Sequence, residues 1–305
     1  MSAEHPLRPV DRWLAFLNVA LALSWLGHAT ASPWARYYVV AFLFAAGLPA
    51  LLVRLPSRLN RITVTIRDGY PLAWIGLVWG TLGIRIGEGM LGSANDQLVA
   101  RWDLALFGQH YNLSWMPAMP WAWFSEAMYA VYNSYYILLV VVPAWFIFSG
   151  CPRKAREVVL RLAVTYAACF LVYAIFPVIG PMEMFPRFMP DAEGLFRSMS
   201  GAARAAGDSL GTAVPSSHTA GSIALAWITW RLAPRPIAIV VAILALGVAF
   251  STVYTQNHFA VDAVAGVAIA VATQGVVVPW LERGGLRLPG PAVIPIGRAS
   301  QAAGT

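Results

Sequence analysis

The sequence predicts an all-α polytopic membrane protein. Three observations carry that reading: 59% of the 305 residues are hydrophobic and 11% are charged, the mean hydropathy is +0.63, and apolar runs of membrane length recur along the chain. A span needs roughly 20 mainly apolar residues, because in hydrocarbon each backbone polar group must be satisfied within its own helix. About eight such spans are predicted, near residues 13–30, 37–53, 70–87, 124–148, 158–176, 217–232, 237–254 and 260–280. The length would allow two soluble domains, but this composition favours one helical bundle.

The first run, from Trp13 to about Gly27, follows a mixed-charge head with Glu4, Arg8, Asp11 and Arg12. Ala29-Thr30-Ala31 weakly imitates a signal-peptidase site, but further spans follow at once, so a retained first helix is predicted. Residues 1–69 read as an N-terminal helix pair, 70–284 as the main membrane bundle and 285–305 as a flexible tail. Basic residues fall between the spans: Arg54, Arg58, Arg61 and Arg67, then Arg153, Lys154 and Arg156, then Arg231 and Arg235, and finally Arg283 and Arg287. With eight spans, all four clusters land on one side, which is predicted to be cytoplasmic together with both termini. That arrangement accounts for the net charge of +7 and implies no nucleic-acid partner. Cys151 beside a basic loop and Cys169 inside an apolar run face different environments, so no disulfide framework is predicted.

The opposite side then receives segments 88–123, 177–216 and 254–259. Asn95 to Met119 reads as an interfacial amphipathic helix with a turn at Phe107-Gly108. Segment 178–210 holds Gly, Pro, Met and several charges without clear periodicity, so a loop with short helical pieces is predicted. His218 and His258 lie at the edges of these segments, at interface depth on the non-cytoplasmic face.

Two polar segments carry the chemistry: Gly211-Thr-Ala-Val-Pro-Ser-Ser-His218 and Ser251-Thr-Val-Tyr-Thr-Gln-Asn-His258-Phe-Ala-Val-Asp262. An ionisable group at the end of a membrane helix is expensive and marks a functional position. His258 and Asp262 are four residues apart, so at a helix start the carboxylate can hold one ring nitrogen and leave the other as nucleophile or base. The alternative for that pair is a polar contact that satisfies itself or caps a helix. Pro215 followed by Ser216 and Ser217 at a helix start supplies hydroxyl and backbone donors suited to a phosphate anion, with an ordinary N-terminal cap as the alternative for Ser216. Glu126, Tyr132 and Tyr136 are candidates for a polar path taken by a hydroxyl acceptor. Glu88, Asp103 and Glu126 border the third and fourth spans and read equally as helix caps, and the tyrosines as an interface belt. His28 and His110 read as interface residues without a partner at useful spacing. No Cys/His cluster has metal spacing, and His258–Asp262 without a third ligand is poor for zinc, so neither metal nor cofactor is expected.

The string G-T-A-V-P-S-S-H-T-A-G, followed about forty residues later by S-T-V-Y-T-Q-N-H-F-A-V-D-A-V-A-G, resembles the second and third signature motifs of the type 2 phosphatidic acid phosphatase superfamily. Within it, the match is most similar to bacterial-type members of the branch containing inositol phosphorylceramide synthase and sphingomyelin synthase. Trp102-Asp-Leu-Ala-Leu-Phe-Gly108, Tyr129-Ala-Val-Tyr-Asn-Ser-Tyr-Tyr136 and Phe176-Pro-Val-Ile-Gly-Pro181 look like that branch's looser upstream motifs. The resemblance covers roughly residues 70–280 and implies a six-helix catalytic core that needs no metal. It implies that His258 attacks the phosphorus of a lipid phosphate, Asp262 orients it, and His218 protonates the departing alkoxide. Ser216, Ser217 and nearby backbone N–H groups would hold phosphate oxygens.

The departures are informative. The superfamily's first motif, a Lys and an Arg-Pro separated by six residues, is absent, and the Arg expected six positions before the second histidine is Thr252. Without those cations a doubly charged phosphomonoester is held less well, which favours phosphodiester or headgroup-transfer chemistry or recruits other cations. Arg85, Arg101, Arg187 and Arg197 lie on or near the correct side. Arg187 is the candidate phosphate ligand, since the position directly after Pro181, where relatives place an Arg, is Met182. The expected substrate is a membrane lipid: a lipid phosphate, a phospholipid such as phosphatidylinositol, or a polyprenyl carrier. Water, a polyol or a lipid alcohol would be the acceptor, and phosphatase and transferase both remain open. The contrasting class is a transporter or proton-coupled carrier using intramembrane His and Asp, followed by a non-catalytic lipid-binding protein. Against a carrier, the ionisable groups cluster near one face and no pair of broken helices recurs in two halves.

Overall fold

The computed structural model describes residues 7–30, 33–52, 61–84, 94–188, 194–207 and 209–286. Arg54, Arg58, Arg85, Glu88, Arg287 and nearly all of the expected tail lie outside the described residues. The regular elements are helical: α1 (Pro9–Leu26), α2 (Pro33–Leu52), α3 (Arg61–Leu82), α4 (Ala94–Phe107), α5 (Tyr111–Ala118), α6 (Ala122–Phe148), α7 (Pro152–Ile175), α8 (Pro181–Met184), α9 (Leu195–Gly207), α10 (Ser217–Leu232), α11 (Arg235–Tyr254), α12 (Ala260–Ala272), a π segment (Thr273–Val277) and α13 (Val278–Glu282).

Among the described residues, five helical stretches are long and apolar enough to cross a membrane: Trp34–Leu51 in α2, all of α6, α7 and α11, and the run Ala260–Glu282 through α12 and α13. This makes the chain a multi-pass membrane protein, but the count is five where the hydropathy pattern predicted about eight. The other three predicted spans do form helices, and each falls short for a local reason. α10 has 16 residues, or about 24 Å at 1.5 Å per residue, less than the roughly 30 Å hydrocarbon layer. α1 opens with Asp11 and Arg12, and α3 carries Arg67 and Asp68. All three nevertheless pack into the bundle, α1 against α2 and α7, α3 against α7, and α10 against α7, α11 and α12.

The outer surface is apolar where water would make it costly. Phe44, Val140, Ile243 and Val276 are all exposed, as expected of side chains facing lipid. The interior carries the polar groups instead, with Asp11, Asn18, Asp103, Arg161, His258 and Asp262 buried. Arg161, inside α7, donates to Glu157 Oε1 at 2.9 Å and to Gln274 Oε1 at 3.1 Å. Gln274 lies in the π segment and returns bonds to Arg161 O and Thr165 Oγ1. The wider turn thus coincides with the satisfaction of a buried charge.

The basic loops meet at one end of the bundle. Arg8 pairs with Asp11 and Asp68, both at 2.9 Å, and Arg156 reaches Asp68 at 3.0 Å. Lys154 Nζ donates to Leu232 O and Arg12 Nη2 to Leu281 O. These contacts draw together the start of α7 and the ends of α10 and α13. His218 occupies the first turn of α10 and His258 the turn before α12, so the histidines sit at the other end.

Candidate active site

The segment leading to His218 is fixed by bonds from four directions. Gly211 takes a φ of +83°, a left-handed value open to glycine. Val178 and Thr212 then pair as a parallel bridge, with Ala213 N donating to Val178 O at 2.9 Å. Asp96 Oδ1 accepts from Gly180 N at 2.7 Å, and Tyr173 Oη donates to Pro215 O at 2.5 Å. Ser216 N donates to Asp262 O at 3.0 Å, tying this segment to the next one. Gly266 permits that contact, because a Cβ there would stand 2.6 Å from Ser216 O.

The second segment turns sharply before α12. Gln256 has a φ of +61°, and Asn257 N and His258 N both donate to Thr252 O at 3.1 Å. Thr252 is fully buried and its Oγ1 bonds Ala249 O, so it holds the turn. His258 Nδ1 lies 3.3 Å from Asp262 Oδ2, which also accepts from Phe259 N at 2.9 Å. Asp262 thus caps α12 and orients the imidazole with one oxygen. Asp103 Oδ1 supports the same helix start by accepting from Val261 N at 3.0 Å.

The two imidazoles come together, with ring centroids 5.9 Å apart and planes at 61°. Tyr132 Oη lies 3.1 Å and Tyr136 Oη 3.3 Å from His218 Nε2. Tyr129, Tyr132 and Tyr136 recur at three- and four-residue spacing and share a face of α6. His218 Nδ1 is buried without a hydrogen-bond partner. With Nδ1 of His258 held by Asp262 and Nε2 of His218 held by tyrosines, each ring keeps one nitrogen for a shared ligand. Both rings line a pocket of about 60 Å³, with Tyr132, Glu183, Arg204 and Asn257 around them. That volume suits a phosphoryl group better than a whole headgroup.

Two further cavities adjoin it. An apolar one of about 410 Å³, within the usual size of a ligand site, runs from Leu72, Ile75 and Gly76 of α3 past Phe170 to His218. A polar one of about 190 Å³ is lined by Tyr129, Arg187, Arg197, Ser200, Arg204 and Asn257, among others. Arg204 borders all three. Burial lowers the basicity of the Arg187 guanidinium, and the positive charges of Arg204 and Arg197 lower it further.

Several predicted residues stand elsewhere than expected. Ser216 is the N-cap of α10, its Oγ accepting from Thr219 N at 3.3 Å, and Ser217 faces the apolar cavity. Glu126 lies off the acceptor path because both its oxygens are committed: Oε2 accepts from Phe196 N at 2.8 Å and Oε1 from Arg197 N at 3.2 Å. It thereby anchors the start of α9. Gly194 makes room, since a Cβ there would overlap the Glu126 carboxyl group. Arg187 donates to Thr255 O at 2.7 Å and lines the arginine cavity, away from the histidine pocket. His110 has a partner after all, Asp103 Oδ2 at 2.8 Å, brought within reach by the turn at Gly108, whose φ is +72°.

Arg204, Asn257, Glu183 and Trp79 were not singled out by sequence reasoning. The signal for Arg204 was present: Arg197, Ser200, Gly201 and Arg204 follow helical spacing and line one face of α9. Segment 178–210 therefore contains a 13-residue amphipathic helix where a loop with short pieces was predicted. Among the described residues, no group of three or more His, Cys, Asp or Glu side chains is placed to hold a metal ion.

Comparison with curated proteins and with solved structures finds no match. A protein-family model does match, over residues 97–276 and thus more than half of the chain; its description is "PAP2 superfamily".

Proposed function

The chain belongs to the PAP2 superfamily, and from that premise we propose that it is an integral-membrane enzyme moving a phosphoryl or phospho-headgroup from a lipid to an alcohol or water. The observation that carries this reading is the meeting of His218 and His258 over one small pocket, 5.9 Å between ring centroids. His258 Nε2 attacks the phosphorus in line. The P–O bond to the lipid alcohol breaks, and His218 Nδ1 gives its proton to the departing oxygen. Asp262 holds Nδ1–H of His258 and stabilises the positive charge that grows on that ring. In the second half His218 takes the proton of the incoming hydroxyl, the new O–P bond forms and the N–P bond breaks. Tyr132 and Tyr136 keep the His218 ring aimed through both steps.

Among the described residues, the pocket is lined by one arginine, Arg204, and one carboxylate, Glu183. That balance favours a singly charged phosphodiester over a doubly charged monoester, and so the transferase branch that includes inositol phosphorylceramide synthase and sphingomyelin synthase. The end of the bundle that carries the histidines is assigned to the non-cytoplasmic face, because the basic residues gather at the other end. The hydrocarbon of the lipid alcohol fits the 410 Å³ cavity, which reaches the proton-transferring histidine.

α3 lies outside the matched residues and walls that cavity. Gly76 is the place to test it, since a Cβ there meets nothing within 4 Å. Gly76→Phe is expected to cut turnover of long-chain substrates by about tenfold or more while sparing short-chain analogues, measured with a chain-length series. The function itself is tested with purified protein in liposomes given labelled lipid phosphates and phospholipids, with and without alcohol acceptors. Phosphate release marks a phosphatase and a new lipid phosphodiester a transferase. Solute flux without turnover of any lipid would replace this reading with a carrier.

A further inference from the structure

One helix reaches the segments that carry both histidines. α4 buries Asp96, Val99, Ala100 and Asp103, which recur at the three- and four-residue spacing of a single helix face, and it packs on α8 and α12. The two acids stand at the ends of that face, about 10 Å apart at 1.5 Å per residue. Asp96 Oδ1 accepts from Gly180 N at 2.7 Å, and Asn95 Nδ2 donates to Pro177 O at 3.0 Å. Between those contacts lies Val178, whose carbonyl accepts from Ala213 N in the segment that leads to His218. At the other end Asp103 Oδ1 accepts from Val261 N at 3.0 Å. Phe259, the N-cap of α12, offers no side-chain acceptor, so Asp103 supplies from another helix what the cap residue lacks. His110 Nδ1 holds the second oxygen of Asp103 at 2.8 Å, and the His110 ring lies 5.5 Å from that of Phe259. Val99 and Ala100 fill the space between the acids, in one buried apolar cluster with Val178, Ala213, Val214 and Phe259.

Resting on the reading of His258 as nucleophile, we propose that Asp96 and Asp103 are positioning residues and that α4 sets the spacing between the two imidazoles. Asp96 places His218 through Gly180 and Val178, and Asp103 places His258 through Val261. Neither acid lines the histidine pocket, so each acts through backbone alone. In-line attack and proton transfer at one phosphorus need both rings in place together, and a misplacement of about 1 Å costs about 10²-fold. The run Trp102-Asp-Leu-Ala-Leu-Phe-Gly108 thereby gains a role. Asp103 supports the start of α12, and Gly108, at a φ of +72°, makes the turn that returns His110 to Asp103.

Two measurements on the full-length protein in detergent micelles test this. The ring signals of the five histidines are followed by NMR with histidine-specific isotope labelling and assigned by single substitutions. Asp103→Ala is expected to move the signals of His258 and of His110 and to leave those of His218. Asp96→Ala is expected to move His218 and to leave His258. A substitution that merely loosens the bundle would move both rings. In lipid turnover each alanine variant is expected to lower kcat by about 10–100-fold with KM little changed. Asp103→Asn and Asp96→Asn, which keep an acceptor oxygen, are expected to recover most of that loss. Should an alanine variant fail to fold, the serine variant, whose hydroxyl falls short of the same backbone N–H, takes its place. Both rings moved by both substitutions, neither ring moved, or a defect in KM alone overturns the proposal. Wild-type turnover without the crossed pattern removes the positioning role alone, and the crossed pattern without turnover of any lipid removes the histidine mechanism alone.

Discussion

His258→Ala is expected to abolish lipid turnover, a loss of at least about 10⁴-fold, because the group removed is the proposed nucleophile. A loss of that size corresponds to about 5.5 kcal/mol of transition-state stabilisation, more than any neighbour could supply. His258 is held by its backbone bond to Thr252 O and by Asp262, and its side chain is not a helix cap, so the fold should survive the substitution. Intact folding is checked by thermal unfolding in detergent. Asp262→Asn is expected to cost less, since an amide oxygen can still cap α12 at Phe259 N while the charge that steadies the imidazole is gone. Activity within tenfold of wild type in His258→Ala would remove the nucleophile from the mechanism.

His218→Ala is expected to show a different defect, and the difference identifies its role. A general acid or base contributes about 10²–10⁴-fold, and its weight depends on how badly the leaving group needs a proton. With an alkyl phosphate, both halves of the reaction slow. With a nitrophenyl phosphate the first half proceeds without the acid, whereas the second half still lacks its base. A burst of about one nitrophenol per protein, followed by slow release, is the expected result in rapid-mixing experiments. Equal losses with alkyl and nitrophenyl substrates and no burst would mean that His218 only shapes the pocket. The geometry argues for the burst: Nδ1 is unpaired and turned from the tyrosines that hold Nε2.

The centre of the site was legible because its residues are local in sequence or carried by two compact strings. His258 and Asp262 are four residues apart, and the structure places His258 in the turn before α12 and Asp262 in the helix's first turn, within reach of each other. The bond from Ser216 N to Asp262 O then joins the two strings. What lay beyond reach were the partners chosen by chain reversal. Asp103 meets His110 across the turn at Gly108, a spacing of seven that no regular helix would use for a hydrogen bond. Glu126 was open to two readings, an acceptor path with Tyr132 and Tyr136 or a helix cap, and it spends both oxygens on the start of α9. α9 itself escaped notice because its periodicity is written in arginine, serine and glycine, while hydrophobic pattern is the usual guide to a helix. Of the eight predicted spans, five meet the length and hydropathy of a membrane span among the described residues, while α1, α3 and α10 form as helices but are short or carry charges near one end. The arginine that lines the histidine pocket could not be read from the motif either, since Arg204 comes from another helix, 48 positions before Thr252 in the sequence.

The account stands on a covalent bond between His258 and phosphorus, and the stereochemical course at that atom reads it most directly. A substrate made chiral at phosphorus by oxygen isotopes or by sulfur passes through two in-line displacements if the phosphohistidine forms, and retention of configuration is the result expected. Inversion would mean that water or the acceptor attacks the lipid in a single step, and would contradict the mechanism built on the two histidines.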